Sequence, residues 1–191
     1  MRIIVEGVDK SGKSTIIEKM KNQFEYGIAI KNMIKPRDKS LKETKRILKI
    51  YEEIAEMSKF PDLDHVFILD RYYQSEMVYS ILRGNDRLTE KDFLDWTKNL
   101  EDKLKHDTLL VLVETDAETV AERFKRCKED FVKEDQIKML QDRYNQVFEM
   151  STLPKIKLDT TKLGIEKSLE LIKAEITELT MKELAKRRRL L

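Results

Sequence analysis

Five short apolar stretches recur along the chain, and each is followed by a longer segment of different periodicity. The third and fourth, Val-Phe-Ile-Leu and Leu-Leu-Val-Leu-Val, are apolar at every position, as strands that are covered on both faces must be. The pattern predicts five β-strands, at Arg2–Glu6, Gly27–Lys31, His65–Leu69, Thr108–Val113 and Lys155–Leu158.

The segments between these strands place apolar residues three and four positions apart, which is typical of helices that bury one face. They predict helices at Lys13–Phe24, Ser40–Lys59, Tyr72–Leu82, Glu90–Leu104, Ala117–Lys125 and Glu134–Met150, and a last one from about Gly164 to about Ala185. Strands that alternate with helices favour a parallel sheet covered by helices on both faces. Ligands of such sheets bind beyond the carboxyl ends of the strands, so we expect the chemistry there.

The turn between the first strand and the first helix contains a phosphate-binding motif. Residues 7–15 read G-V-D-K-S-G-K-S-T and fit the P-loop pattern G-x-x-x-x-G-K-[ST]. Glycines let the backbone curl, so that successive N–H groups point at phosphate oxygens. Lys13 adds a positive charge for the β- and γ-phosphates, and the Ser14 hydroxyl is a ligand for Mg²⁺. Strand, loop and helix in this order predict a nucleoside triphosphate site.

Length and charge narrow the class of protein. A chain of 191 residues with a net charge of +2 predicts one domain, residues 1–191, without bulk nucleic-acid binding. The basic run Lys186–Arg189 is interpreted as a solvated helix end. The single cysteine, Cys127, excludes an internal disulfide. The core begins at residue 2, which predicts no signal peptide, and no apolar run approaches the roughly 20 residues of a membrane span. We expect a cytoplasmic protein that binds neither nucleic acid nor a membrane.

Charged stretches follow three other strands. Asp70 and Arg71 end the third, where a carboxylate can hold Mg²⁺ and a guanidinium can fork onto a phosphate. The run 123–131 has four cations within six residues, which suits a lid that closes over ATP. Lys35 and Arg37 after the second strand suit an anionic acceptor. The alternatives are an Asp that caps a helix beside a surface Arg, a solvated helix face and an ordinary loop.

Several of these segments match the motifs of one family, in order, along nearly the whole chain. They are the P-loop with an acidic residue at Asp9, the pattern D-R-Y-x-x-S-x-x-x-Y from Asp70 to Tyr79, and the segments 114–123, 142–144 and 158–160. In these respects the sequence resembles the thymidylate kinase family, within the P-loop nucleoside and nucleotide kinases.

This resemblance implies an α/β fold of the P-loop NTPase type, with three α/β/α layers. The parallel sheet would have five strands in the order 2-3-1-4-5, and a lid would lie at about residues 124–133. The implied reaction is ATP- and Mg²⁺-dependent phosphoryl transfer to a deoxynucleoside monophosphate, with dTMP as the leading acceptor, giving the diphosphate. Relatives are often dimers, so a homodimer is expected.

The resemblance also assigns roles to individual residues. Asp9 would approach the 3′-hydroxyl of the acceptor, Arg71 would hold its phosphate, and Tyr79 would disfavour ribose. The implied catalytic set is Lys10, Lys13, Arg71 and Arg126. The implied ATP-binding set is Gly7, Val8, Asp9, Lys10, Ser11, Gly12, Lys13, Ser14, Thr15 and Arg123. The implied acceptor-binding set is Asp9, Arg37, Tyr51, Arg71, Ser75, Glu76 and Tyr79, and the metal ligands are Ser14 and Asp70.

The base site departs from the family pattern. Tyr51 supplies an aromatic side chain before the third strand, but no Arg follows at the expected spacing, and Glu76 replaces a small or neutral polar residue. An ionised carboxylate only accepts hydrogen bonds, and guanine offers N1–H and N2–H₂ side by side. If Glu76 points at the base, acceptance is therefore broader than dTMP and includes dGMP. The alternative is that Glu76 faces solvent or pairs with Arg37.

Two other functions stay open. A deoxynucleoside kinase acts on a 5′-hydroxyl and benefits from a carboxylate base, which relatives place just after the second strand. Here residues 32–37 contain cations and no Glu, which suits an acceptor that already carries phosphate. A nucleotide-dependent switch or binding module would need no acceptor site, and the signature from Asp70 to Tyr79 argues against it.

Overall fold

The computed structural model describes residues 1–24, 27–31, 34, 38, 40–57, 66–83, 90–125 and 134–188. Within them a five-stranded sheet has the order β2-β3-β1-β4-β5, and every neighbouring pair is parallel. The strands are β1 (Arg2–Glu6), β2 (Gly27–Lys31), β3 (Val66–Asp70), β4 (Thr108–Glu114) and β5 (Lys155–Asp159). The α/β class and the predicted strand order are confirmed.

Seven α-helices accompany the sheet in the described ranges: α1 (Lys13–Gln23), α2 (Leu41–Met57), α3 (Tyr73–Arg83), α4 (Glu90–Leu104), α5 (Ala117–Lys125), α6 (Ile137–Met150) and α7 (Thr160–Arg188). Two helix starts differ from prediction by three residues or more. A 3₁₀ turn, Glu134–Gln136, precedes α6, and α7 begins at Thr160 rather than near Gly164. Gly164 interrupts α7 with φ 69° and ψ 170°, a conformation that glycine reaches without strain. Within the described ranges, none of the helices has both the length and the apolar character that a membrane crossing needs.

The sheet separates two apolar layers. On one face Ile3 and Val5 pack with residues of α1 and α7, and on the other face Ile4 packs with residues of α2, α3, α4 and α6. Side chains alternate along a strand, so neighbouring residues of β1 serve opposite layers. All five residues of β1 are buried. This central strand therefore fixes the position of the loop that follows it.

A buried carboxylate ties the helices of the second layer together. Glu101 on α4 is 1% exposed. Its oxygens accept hydrogen bonds from the hydroxyl of Tyr73, from Ser151 Oγ at 2.7 Å, and from the N–H and hydroxyl of Thr152 at 2.6 and 2.7 Å. A carboxylate is stable out of water only when its lone pairs are satisfied in this way. Glu101 thus holds α3, α4 and the segment before β5 in one arrangement.

Replacing Glu101 should destabilise the fold more than replacing its neighbour. Glu101→Ala leaves several buried donors without an acceptor, and we expect the free energy of unfolding to fall by about 3 kcal/mol. Asp102→Ala removes an exposed carboxylate that pairs with Lys105 on the surface, so it should change stability little. Urea denaturation of both variants measures the difference. Equal losses would show that the four bonds to Glu101 do not stabilise the fold.

Candidate active site

The P-loop closes tightly over the end of β4. Gly7 and Gly12 have φ of 142° and 103°, in the left-handed region that favours glycine. A Cβ on Gly7 would overlap the carbonyl oxygen of Val113 and lie 3.0 Å from Ser11 Oγ. The loop therefore rests on β4 at a distance that only a residue without a side chain permits.

The lysine of this motif is enclosed by the loop. Lys13 is the first residue of α1 and is 6% exposed, and its Nζ donates a hydrogen bond of 2.7 Å to the carbonyl of Val8. Burial, together with the nearby charge of Arg71, lowers the pKa of Lys13 to about 7. Ser14 and Thr15 follow on the exposed side of the helix start. The ammonium and these hydroxyls thus lie at the same end of α1.

A cation faces this loop from the end of β3. The guanidinium of Arg71 donates to Asp9 Oδ1 at 2.5 Å, to Ser75 Oγ at 3.2 Å and to the hydroxyl of Tyr144. The hydroxyl of Tyr79 donates to the other Asp9 oxygen at 3.0 Å. Burial opposes ionisation of Asp9, but Arg71 and Lys13 outweigh it, and the pKa of Asp9 lies below its ordinary value. Four of the predicted site residues therefore form one hydrogen-bonded cluster with Tyr144.

Glu6 anchors this cluster from the end of β1. Its Oε1 accepts the backbone N–H of Tyr72 at 2.7 Å, and its Oε2 accepts Ser75 Oγ at 2.6 Å. Burial raises the pKa of Glu6. The carboxylate satisfies backbone N–H groups at the start of α3, a role that an N-cap side chain usually fills. Sequence reasoning missed Glu6, although a Glu that ends an otherwise apolar strand beside a P-loop is a usable signal.

The opposite rim of the loop is held by two further side chains. Arg123 Nη1 on α5 donates to the carbonyl of Lys10 at 2.7 Å. The hydroxyl of Thr160 at the start of α7 lies 3.1 Å from the carbonyl of Ser11 and 2.9 Å from that of Glu114. Arg123 was predicted for this side, whereas Thr160 was not. Thr160 lies 145 residues or more from the loop in sequence, so only the fold reveals the contact.

One cleft of about 710 Å³ brings these groups together. Its walls include Lys10, Lys13, Arg71 and Arg123 among the cations, and Asp9, Ser14 and Asp70 among the oxygen donors. Buried Ser11 Oγ has no hydrogen-bond partner within the described residues, as expected of a group that awaits a ligand.

The donor set of the cleft fits magnesium bound together with a nucleotide. The described part of the chain contains no group of three or more His, Cys, Asp or Glu that could hold a metal ion by itself. Ser14 and Asp70 both line the cleft, so one hydroxyl and one carboxylate are available. Mg²⁺ takes most of its remaining ligands from phosphates and water, so these two groups suffice.

Other predicted site residues lie elsewhere or outside the described ranges. Tyr51 is 2% exposed and packs edge-on against Tyr72 at 5.0 Å, so it belongs to the aromatic core and does not line this cleft. Glu76 is buried on α3 and is also not among the residues that line it. Arg37 and Arg126 lie outside the described residues. Of the predicted lid, 124–133, only the first two residues are described, as the end of α5.

Three solved structures share this fold over nearly the whole chain. The YorR protein of Bacillus subtilis, in complex with phosphorylated GDP, is 23% identical, with a TM-score of 0.75 over 95% of this chain and 98% of its own. Deoxyadenosine kinase from M. mycoides, with dCMP and dCDP, is 14% identical, with a TM-score of 0.63 over 93% and 100%. Thymidylate kinase from Candida albicans is 19% identical, with a TM-score of 0.55 over 95% and 92%.

These likenesses establish the fold. The chain has the fold of the P-loop nucleotide and nucleoside kinases. No protein-family model and no curated protein matches the sequence.

The close approach of Gly7 to β4 predicts a loss of nucleotide binding on substitution. Gly7→Ala should weaken binding of ATP·Mg²⁺ on the order of a hundredfold, about 2.7 kcal/mol, because the loop must leave β4. Gly164→Ala is the control, because Gly164 also has a positive φ but a Cβ there meets nothing within 4 Å. It should lower stability and leave the affinity within a few fold. Titration calorimetry measures both, and equal affinity losses would contradict the prediction.

Proposed function

We propose that the protein transfers the γ-phosphoryl group of ATP to a deoxynucleoside monophosphate, with dTMP as the leading acceptor, and releases the diphosphate. The observation that supports this most is that Arg71 lines the cleft beside the P-loop and donates to Asp9 of that loop, which also accepts from Tyr79. A phosphate loop alone binds a nucleotide. A second cation beside that loop, Arg71, which is held by the Asp9 carboxylate, provides a place for a second phosphorylated substrate.

The P-loop side would bind the donor. The loop N–H groups and Lys13 would contact the β- and γ-phosphates, and Arg123 would lie near the adenine. Ser14 and Asp70 would hold Mg²⁺, which neutralises phosphate charge when it is bound. Lys10 lines the cleft with a φ of 65° and is suited to stabilise the phosphoryl group in transfer, together with Arg126 of the proposed lid.

The Arg71 side would bind the acceptor. Its guanidinium forks between Asp9 and the pair Ser75 and Tyr144, so it can exchange one carboxylate for a phosphate without a change of rotamer. Asp9, once released, would accept from the 3′-hydroxyl of the sugar. Tyr79 would lie against the 2′ edge and exclude ribose. Catalysis then consists of positioning and charge neutralisation, and no covalent intermediate is needed.

The lowered pKa of Asp9 favours a monophosphate over a nucleoside as acceptor. A nucleoside kinase needs a base near the 5′-hydroxyl, and the best base has a pKa near the working pH. The pKa of Asp9 is depressed by Arg71 and Lys13, so Asp9 is a weak base. A deoxynucleoside kinase remains the second candidate, because the fold is shared with deoxyadenosine kinase. A nucleotide-dependent switch remains a third candidate and would hydrolyse ATP without any acceptor.

We extend the proposal to guanine in addition to thymine through Glu76, although Glu76 does not itself line the P-loop cleft. Its carboxylate is 5% exposed, on the same helix as Arg71's partner Ser75 and one turn before Tyr79. A carboxylate pairs with the adjacent N1–H and N2–H₂ of guanine better than with the single N3–H of thymine. The structurally similar YorR protein was solved with a guanine nucleotide. We therefore include dGMP among the proposed acceptors.

A coupled assay across nucleosides and nucleoside monophosphates tests the proposal. ADP release should depend on the acceptor, with dTMP and dGMP preferred over the ribonucleotides and with no turnover of thymidine or deoxyguanosine. Turnover of nucleosides instead would establish the second candidate. Acceptor-independent ATP hydrolysis would support a switch.

Arg71→Lys probes the acceptor half of the cleft. Lysine keeps the charge but cannot fork, so kcat/KM for the monophosphate should fall on the order of a hundredfold, about 2.7 kcal/mol. The affinity for ATP should change much less. Arg46→Lys is the control, because Arg46 pairs with Glu43 on α2 and does not line the cleft. A collapse of ATP affinity with unchanged acceptor kinetics would assign Arg71 to the donor.

A further inference from the structure

A second cavity lies among α3, α4 and α6 and shares no lining residue with the P-loop cleft. Its volume is about 210 Å³. Apolar walls come from Met77, Leu94 and Val147, and polar atoms come from Gln74 and Thr97. The charged residues Asp95 and Lys98 also line it but are exposed, so they stand at its mouth. The interior is thus apolar with a few neutral polar groups, as small-molecule sites usually are.

Two polar side chains of this cavity have no hydrogen-bond partner within the described residues. Gln74 is 2% exposed, and within the described residues neither its amide oxygen nor its amide nitrogen makes a hydrogen bond. The Thr97 hydroxyl is likewise unpartnered, in a residue that is 9% exposed. Native proteins pair almost all buried polar groups, because leaving them unpaired costs free energy. The unpaired amide and hydroxyl of this small cavity therefore indicate that a bound molecule supplies their hydrogen-bond partners.

Glu101 also lines the cavity, but its oxygens are already occupied. They accept from Tyr73, Ser151 and Thr152, as described above. This leaves the primary amide of Gln74 as the main recognition group, and it offers a donor and an acceptor side by side. The matching ligand carries an acceptor and a donor side by side on one edge. Gln and Asn read adenine in this bidentate way.

We propose that this cavity is a binding site for a free nucleobase, held by the Gln74 amide and the Thr97 hydroxyl. A planar ring fits between the apolar walls. At roughly 30 Å³ per water molecule, the cavity has the space of about seven waters. That space matches a one- or two-ring heterocycle and is too small for a nucleotide, so the occupant differs from the substrates proposed for the main cleft.

A tryptophan near this cavity can report ligand binding by its fluorescence. Trp96 is the single tryptophan and lies on α4 between Asp95 and Thr97, and its ring centroid is 5.9 Å from that of Tyr73, which lines the cavity. A ligand beside Tyr73 and Thr97 should therefore change the fluorescence of Trp96.

Titration of the full chain with adenine and with cytosine tests the proposal. Binding is measured by Trp96 fluorescence and by calorimetry. Saturating ADP·Mg²⁺ is present throughout to fill the main cleft. We expect one site per chain, at least tenfold weaker in Gln74→Leu and several-fold weaker in Thr97→Val. Gln146→Leu and Thr180→Val are matched controls on exposed positions away from the cavity, and they should retain the affinity of the wild type.

The melting temperature gives an independent readout that does not require a known ligand. Gln74→Leu replaces an unpaired buried amide by an apolar group of similar size, so the ligand-free variant should melt several degrees higher than the wild type. Adenine should raise the melting temperature of the wild type but not of Gln74→Leu.

Two results would overturn the assignment. One is the absence of binding of either base at millimolar concentration, whatever the melting temperature of Gln74→Leu. The other is binding that Gln74→Leu leaves unchanged.

Discussion

The carboxylate of Glu6 joins the two halves of the main cleft. It ends the central strand, which pairs along its length with β3 and β4, and it accepts the N–H of Tyr72, just before α3, and the N–H of Ser75 in the first turn of α3. The P-loop leaves β1 one residue later, and Arg71 immediately precedes the helix start that Glu6 caps. The distance between the phosphate loop and Arg71 is therefore set by this buried side chain together with the pairing of β1 and β3, in which the N–H of Arg71 donates to the carbonyl of Val5 at 3.0 Å. Burial raises the pKa of Glu6, which is the electrostatic cost of placing an acceptor where backbone N–H groups need one.

Much of this structure can be predicted from local patterns in the sequence. All five strands were predictable, and the buried strands β1 and β4 most directly, because such strands read as continuous apolar runs. The phosphate loop was predictable because its geometry demands glycine at Gly7, lysine at Lys13 and a following helix. Arg71, Ser75 and Tyr79 were predictable only as a spaced motif that resembles a family. The structure confirms that the motif residues meet at one place, with Asp9 between Arg71 and Tyr79.

The contacts that could not be predicted depend on how helices and strands pack, because packing decides which face of a helix meets which neighbour. Thr160 and Tyr144 touch the site from helices that begin far along the chain; the segments 158–160 and 142–144 match the family pattern, but no local signal assigns these two side chains to the site. Tyr51 was interpreted as a base-stacking aromatic, but the packing of α2 on α4 turns its ring into the core beside Tyr72 and Trp96. The unpaired amide of Gln74 is likewise invisible in sequence, where a glutamine beside a serine on a helix reads as an ordinary surface residue.

Two cationic residues of the cleft have a backbone conformation that is unfavourable for any residue other than glycine. Lys10 and Arg71 both have positive φ, 65° and 70°, a conformation that costs a residue with a side chain on the order of 1 kcal/mol or more. Glycine at either position would relieve that cost and would also delete a charge from the cleft. Selection for heat resistance alone would therefore enrich glycine at both positions, whereas selection for activity would restore the cations. At these two positions the residue that would best stabilise the fold differs from the residue that the chemistry of the cleft needs.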